Sequence, residues 1–149
     1  MKKTISRTVR DTLDEKFLVR ADGDEVQNIK FIITHDRPNT ASKVQICIFA
    51  FDRAQINVDA TTIIENSAPN TNAWLEIRVI TRGSAVVNAA PNLKIRHSAV
   101  KAGHALTTKH VSDDELFYLM SRGLPREAAE KLVIDAFIEP FLNAKNVLK

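Results

Sequence analysis

The side chains suited to metal or thiol chemistry are few: one cysteine, Cys47, and four histidines. Three of the histidines, His97, His104 and His110, lie close together in the sequence. A neutral imidazole is a common metal ligand, so these histidines are candidate metal ligands. In a solenoid, neighbouring turns could stack these histidines into a three-histidine site. The alternative is that each one hydrogen-bonds locally to backbone and binds nothing.

The remaining chemistry is limited. A single cysteine excludes an intramolecular disulfide and an all-cysteine metal site within one chain. Cys47 lies in an alternating apolar run, on the opposite face from Val44 and Ile46, which is typical of a buried, unreactive thiol. The sequence has no glycine-rich phosphate loop and no serine or cysteine in the context of a nucleophile. We therefore expect a protein that is not an enzyme.

Length and composition fit one compact globular unit of 149 residues, with 44% apolar and 26% charged residues. The formal net charge of +3 is small, and the aromatic residues do not alternate with Lys and Arg as in a nucleic-acid platform. The polar start after Met1 is not a secretory signal, and the longest apolar run is far too short to cross a membrane. We expect a cytoplasmic protein that contacts neither nucleic acid nor membrane.

The chain changes character once, which divides it into a β-rich core over residues 1–111 and a helical subdomain over residues 112–149. Short apolar runs recur through the first part, at 30–33, 44–50, 56–58, 62–64, 75–79, 85–87, 93–95 and 100–101. Asn, Asp, Ala and Ser occupy the bends, and Gly83 is the only glycine between Val44 and Val100. This pattern favours a parallel β-helix over an antiparallel sandwich, which needs tight glycine turns. Before residue 35, Asp22-Gly23 suggests an antiparallel hairpin that joins residues 8–19 to 26–33.

The second part predicts two helices. Ser112 with Glu115 forms a capping box, and Gly123 is suited to end that helix. Pro125 opens a second helix, whose apolar residues recur at three- and four-residue spacing. Pro140 should kink or end it. The tail over residues 143–149 is expected to fray.

The segment from Lys101 to Leu124, KAGHALTTKHVSDDELFYLMSRGL, resembles the carboxy-terminal signature of the SufB/SufD family of iron–sulfur cluster assembly. The resemblance continues to Phe137, and upstream runs from about residue 35 are similar to the family's β-helix turns. It implies a short right-handed parallel β-helix capped by a two-helix C-terminal segment. It also implies that His104 occupies the family's signature histidine, as the candidate residue for cluster assembly and for metal binding.

Other positions have diverged from the pattern. The resemblance places Glu76 near the essential cysteine of SufB, Ala105 at the acidic residue of SufB and Ala102 at a cysteine found in SufD proteins. The chain lacks the thiols but keeps His104, so it is more similar to SufD. We expect no stably bound cofactor and at most a transient iron–sulfur cluster.

The resemblance also implies partners. Family members pair through their β-helices, so we expect a homo- or heterodimer with a SufB-like chain or a second copy. Their helical ends dock a SufC-type ATPase, and an aromatic patch with an arginine rim fits such an interface. The expected partner-binding residues are Phe117, Tyr118, Met120, Arg122, Arg126 and Phe137. The alternative is that these residues cap the open end of the β-helix.

The prediction is therefore a non-catalytic, SufD-like scaffold that binds a SufC-type ATPase through its C-terminal helices. Two alternatives stay open. One is a structural β-helix homo-oligomer that no longer takes part in cluster assembly. The other is a metal-binding enzyme that uses His97, His104 and His110.

Overall fold

Eight parallel strands form a β-solenoid of about four turns, and two helices follow it in a computed structural model that describes residues 1–141 and 143–148. The elements are β1 (Lys2–Val9), β2 (Thr12–Ala21), β3 (Val26–His35), β4 (Ala41–Ala50), β5 (Gln55–Ile64), β6 (Asn72–Thr81), β7 (Val86–Ile95), β8 (Lys101–His110), α1 (Asp113–Ser121), α2 (Arg126–Ile138), a 3-10 turn (Glu139–Phe141) and β9 (Asn146–Leu148). None of the helices in these residues is long and apolar enough to span a membrane.

Each turn of the solenoid contributes one strand to each of two sheets. The first sheet has the order β1-β3-β5-β7 and the second has the order β8-β6-β4-β2-β9. Every pair is parallel. The predicted β-helix is therefore confirmed over the antiparallel sandwich.

The core lies between the two sheets because alternate residues of every strand point inward. Ile46 and Ile77 are register partners in the second sheet, and both are fully buried. Phe17 meets Phe31 of the opposite sheet edge-to-face, with ring centroids 5.0 Å apart. Burying such apolar stacks is the main favourable contribution to the stability of the solenoid.

Three corners between the sheets place a residue other than glycine in the left-handed region, while two others use Gly23 and Gly83. Asn39, Asp52 and Asn70 have φ angles of 58°, 60° and 57°. Asn and Asp tolerate this region better than other side chains. The Asn70 amide also donates to Asn39 Oδ1 across one turn at 3.2 Å. The bends inferred from Asn and Asp are thus real solenoid corners.

The strands are longer than the sequence suggests. Runs 56–58 and 62–64 belong to one strand, β5, and runs 85–87 and 93–95 belong to β7. In β5 the run is continuous because Ala60, which faces the core, is small but apolar. In β7 Pro91 does not break the strand, since β7 is an edge strand, where a missing N–H is tolerated.

The predicted N-terminal hairpin is wrong. β2 and β3 lie in different sheets, and each pairs in parallel with the next turn instead of with the other. The Asp22-Gly23 turn is a solenoid corner. The physical reason is that Phe17 and Phe31 both bury themselves inside the solenoid, whereas a flat hairpin would leave one face of each strand in water.

The two helices pack against the outer face of the second sheet. Ser112 Oγ accepts from the Glu115 N–H at 3.2 Å, and Gly123 has a φ of 97°, as the helix-boundary signals predict. The shared apolar cluster contains Cys47, Phe49, Phe51, Ile80, Val111, Leu116, Ala129 and Phe141. The helices therefore cover one side of the solenoid, and not the open end where a cap was expected.

The tail does not fray as predicted. Asn146–Leu148 forms β9, which pairs in parallel with Phe17–Val19 of β2. Leu148 is only 7% exposed and joins the solenoid core. A free strand edge and an unfilled apolar layer outweigh the entropy of ordering three residues. Leu142 and Lys149 lie outside the described residues.

Candidate functional site: an open solenoid end and a helical surface

The last turn of the solenoid is open. β7 and β8 are edge strands of their sheets, so each presents one row of backbone N–H and C=O groups without a strand partner in the described chain. The interior is not sealed there: Val87 and Ala89 are only partly buried, and Leu106 is 44% exposed. We call β7 and β8 together the open end.

His104 lies in the middle of β8 and is exposed. Its register partner in β6 is Leu75, which points into the core, so His104 belongs to the inward-facing row at the open end. The imidazole is therefore accessible, and it lies where any chain that extends the solenoid would cover it.

The three-histidine site is wrong. No group of three or more His, Cys, Asp or Glu side chains in residues 1–141 and 143–148 is arranged to hold a metal ion. His104 and His110 share β8 but are about 20 Å apart along the strand. His97 lies in the bend before β8, where its Nδ1 accepts from the Ala99 N–H at 3.0 Å. His110 contacts Thr81 Oγ1 at 3.0 Å.

Glu76 and Arg78 form a half-buried polar cluster on β6, next to β8. Arg78 Nε donates to Glu76 Oε1 at 2.6 Å, and the Gln45 amide donates to Oε2 at 2.8 Å. Burial alone would raise the pKa of Glu76, but these two hydrogen bonds outweigh it and hold the pKa below the usual range. The Arg78 guanidinium also lies 5.6 Å from the ring centre of Phe141, which links this cluster to the helical segment.

The open end carries a modest net positive charge. The sequence contains no Asp or Glu between Glu76 and Asp113, although that stretch holds six Lys and Arg residues. Four of the six are ion-paired: Arg78 with Glu76, Arg82 with Glu130, Arg96 with Glu65 and Lys109 with Glu115. Lys94 of β7 and Lys101 of β8 have no ion pair within the described chain, so they leave uncompensated positive charge on the two edge strands.

The opposite end of the solenoid is protected. Arg7 of β1 lies in an inward-facing row and donates to both carboxylate oxygens of Glu15 at 3.0 and 2.9 Å. Its guanidinium also covers Phe17 at 5.8 Å from the ring centre. Inward-pointing charges are a common means of blocking edge pairing, and β9 covers part of β2. The two ends of the solenoid thus differ in how their cores are covered.

A second candidate surface is formed by the two helices. Four large apolar side chains are exposed there: Phe117 at 74%, Tyr118 at 57%, Leu132 at 51% and Met120 at 40%. A cleft of about 670 Å³ runs between α1 and α2, and it includes Leu119, Val133 and Phe137. Phe137 is half-buried and forms the floor rather than the rim. We call these residues the helical surface.

The two arginines predicted for this surface have different surroundings. Arg122 stacks on the Tyr118 ring at 5.3 Å and donates to its hydroxyl at 3.2 Å, so it is a rim residue of the exposed patch. Arg126 instead joins the starts of both helices, with Asp113 at 3.0 Å and Glu130 at 3.4 Å. Arg122 therefore lies beside Tyr118, which borders the cleft, whereas Phe117 and Met120 are exposed elsewhere on α1 and Arg126 belongs to a separate ion-pair network.

The family model that describes the SufBD core domain of SUF-system FeS cluster assembly matches residues 12–137, which is most of the chain. The chain belongs to the SufBD core family. It is 34% identical over 131 residues to the iron–sulfur cluster assembly protein SufD of Bacillus subtilis, an alignment that covers 87% of this chain and 30% of the relative.

Two further relatives extend the SufBD comparison. The chloroplastic protein ABCI7 of Arabidopsis thaliana is 32% identical over 119 residues, covering 76% of this chain and 25% of that protein. A SufBD family protein of Synechocystis is 30% identical over 122 residues, covering 81% and 27%. The chain thus spans between a quarter and a third of the length of these relatives.

The fold arranges the positions that the SufB/SufD resemblance singles out. Glu76 and Ala105 are register partners on neighbouring strands, and Ala102 lies two residues before His104 on β8. All four positions thus belong to the last two strands of the second sheet. The sequence analysis missed the exposed side chain of Trp74 on the same strands. The indole lies over β8 because of the register between β6 and β8, which only the folded solenoid shows.

Proposed function

We propose that this chain is a non-catalytic, SufD-like scaffold of iron–sulfur cluster assembly. It pairs with a SufB-like chain through the open end and docks a SufC-type ATPase on the helical surface. The observation that carries the proposal is that the two uncovered surfaces are separate. One is an unpartnered pair of strand edges, and the other is an aromatic patch on helices that pack elsewhere.

The helical surface has the composition of a protein interface. Its centre is aromatic and apolar, with Phe117 most exposed, and Arg122 lies at its rim. Aromatic residues and arginine are enriched in the residues that dominate binding energy. The helices themselves are anchored by Leu116, Ala129 and Phe141, so the exposed residues are not needed to hold them in place.

Co-purification with the SufC-type ATPase of the same organism tests this docking. The intact chain should retain the ATPase, and Phe117→Ala and Arg122→Ala should weaken retention. Val86→Ala is a matched control, because Val86 is also a large exposed apolar residue, at 52%, but lies at the open end. The docking proposal is refuted if the ATPase does not bind the intact chain, or if it binds the intact chain and all variants equally well.

The open end favours a partner other than a second copy. In a two-fold dimer the same patch meets itself, so Lys94 and Lys101 would face another basic edge. Like charges across an interface suppress pairing. A SufB-like chain with an acidic edge would offer both the backbone partners and the opposite charge. The structural homo-oligomer is the competing function, and its signature is a dimer of the pure chain at low salt.

The cluster enters the proposal as cargo. His104 is accessible at the open end and would supply one imidazole ligand, while the partner chain would supply others at the junction. Anaerobic reconstitution with iron and sulfide tests this role in the complex with the SufB-like chain. A cluster that is lost in His104→Ala supports it. A cluster retained in that variant, with unchanged visible absorption, would remove His104 from the site.

A further inference from the structure

Trp74, the only tryptophan of the chain, is 42% exposed on the outer face of the second sheet. It lies on β6, one strand in from the open edge, and its register partner on β8 is Gly103. A Cβ atom at Gly103 would lie 2.7 Å from Trp74 Cζ3 and 3.1 Å from Cε3. The six-membered ring therefore lies directly over the Gly103 backbone.

On the outer face of β8, Gly103 has no side chain, and the indole is left 42% exposed. The residues that follow Gly103 on this face are Ala105 and Thr107, which are small. An indole that lies across a glycine extends toward the strand edge, because neighbouring strands are only about 4.8 Å apart. The ring thus reaches the position next to which an added strand would pair, and aromatic side chains can contact such diagonal neighbours.

We propose that Trp74 is an anchor and specificity residue of the open-end interface, and that it contacts the partner's first strand across Gly103. The occupant is an edge strand of the SufB-like chain, since the unpaired backbone groups of β8 require an extended segment. This inference rests on the proposed function. A large residue at position 103 would displace the indole, so glycine there is part of the same arrangement.

The simpler reading is that Trp74 only shields Gly103 and stabilises β8. The two readings differ in a measurable way. Shielding predicts that Trp74 affects the free energy of unfolding but keeps the same exposure in the complex. If Trp74 is an interface anchor, its solvent exposure falls when the partner binds. Its removal should then weaken the affinity strongly, because fully desolvated aromatic residues dominate the binding energy of interfaces.

The test uses this chain labelled with 5-fluorotryptophan, which gives a single ¹⁹F resonance, and the unlabelled SufB-like chain of the same organism as the probe. On binding, the resonance should shift and lose its sensitivity to exchange of H₂O for D₂O. Trp74→Ala should weaken affinity by roughly 30-fold, as is typical of an interface hot spot. Gly103→Ala should also weaken affinity, because the indole must leave its place. Phe117→Ala on the helical surface is the matched control and should bind normally.

The possible outcomes distinguish the role of Trp74 from the proposed pairing with the SufB-like chain. A complex in which the ¹⁹F resonance is unchanged and Trp74→Ala binds as tightly as the intact chain would overturn the role of Trp74 and leave the pairing intact. If the SufB-like chain forms no complex at all, with the labelled chain folded, the proposed pairing fails and this inference fails with it.

Discussion

Two phenylalanines of the helical segment should have opposite phenotypes when each is replaced by alanine. Phe141 is 2% exposed and packs in the cluster that joins the helices to the second sheet, whereas Phe117 is 74% exposed. The substitutions remove the same atoms from the same segment. Any difference between them therefore reports where each side chain lies.

The expected magnitudes follow from burial. Phe141→Ala should lower the free energy of unfolding by about 3–5 kcal/mol, since it leaves a cavity under the helices. Phe117→Ala should change it by less than about 0.5 kcal/mol. For ATPase docking the order reverses. A phenylalanine buries about 200 Å², so the exposed part of Phe117 could contribute up to ~3–4 kcal/mol, and about 2 kcal/mol after the cost of ordering.

Urea denaturation and isothermal titration with the SufC-type ATPase measure the two effects. Cys47 gives a local readout, because it lies in the same cluster as Phe141 and is the only thiol. In Phe141→Ala the thiol should react with a disulfide reagent well before global unfolding. The reasoning is refuted if Phe117→Ala destabilises the fold as much as Phe141→Ala, or if Phe141→Ala leaves both stability and thiol protection unchanged.

Three further predictions test other parts of the structure. Both ring nitrogens of buried His35 are hydrogen-bonded, to Thr40 Oγ1 at 2.7 Å and Ser42 Oγ at 2.8 Å, and burial lowers its pKa. The free energy of unfolding should therefore be greatest above pH 6.5 and fall at lower pH, by at most about 1.4 kcal/mol per pH unit, because the unfolded state takes up the proton first. His35→Asn should flatten this part of the pH profile measured by urea denaturation. In the intact chain, burial raises the pKa of Cys47 to about 12, so the thiol should stay unmodified at pH 8 until urea unfolds the protein, and rapid labelling of the native chain would contradict this. In sedimentation experiments at low salt, the double variant Lys94→Glu/Lys101→Glu should lose the SufB-like partner but form a dimer with the intact chain. If the intact chain associates with itself as strongly as with this variant, charge does not select the partner.

Much of the fold is encoded locally and could be predicted. Alternating runs such as residues 44–50 predict strands, and Asn and Asp at the bends favour a solenoid. The hairpin at Asp22-Gly23 and the fraying tail were wrong for one reason. Both regions are ordered by contacts with distant residues, Phe17 with Phe31 and Leu148 with β2, which no local pattern contains.

The candidate site was predictable only in part. The exposed aromatic residues of α1 follow from a helix that has more apolar surface than a small domain can cover. By contrast, the surroundings of Glu76 and Trp74 depend on the register between β6 and β8, which fixes what lies on either side of each residue. The spacing of the histidines was misleading, because successive residues along an extended strand move apart quickly.

Native mass spectrometry of the chain co-expressed with the SufB-like chain and the SufC-type ATPase tests the central claim most directly. The account predicts one assembly that contains all three proteins. Phe117→Ala should release only the ATPase, and Trp74→Ala should release only the SufB-like chain. A chain that appears alone or as a homodimer, with neither partner attached in the intact protein, would contradict the account.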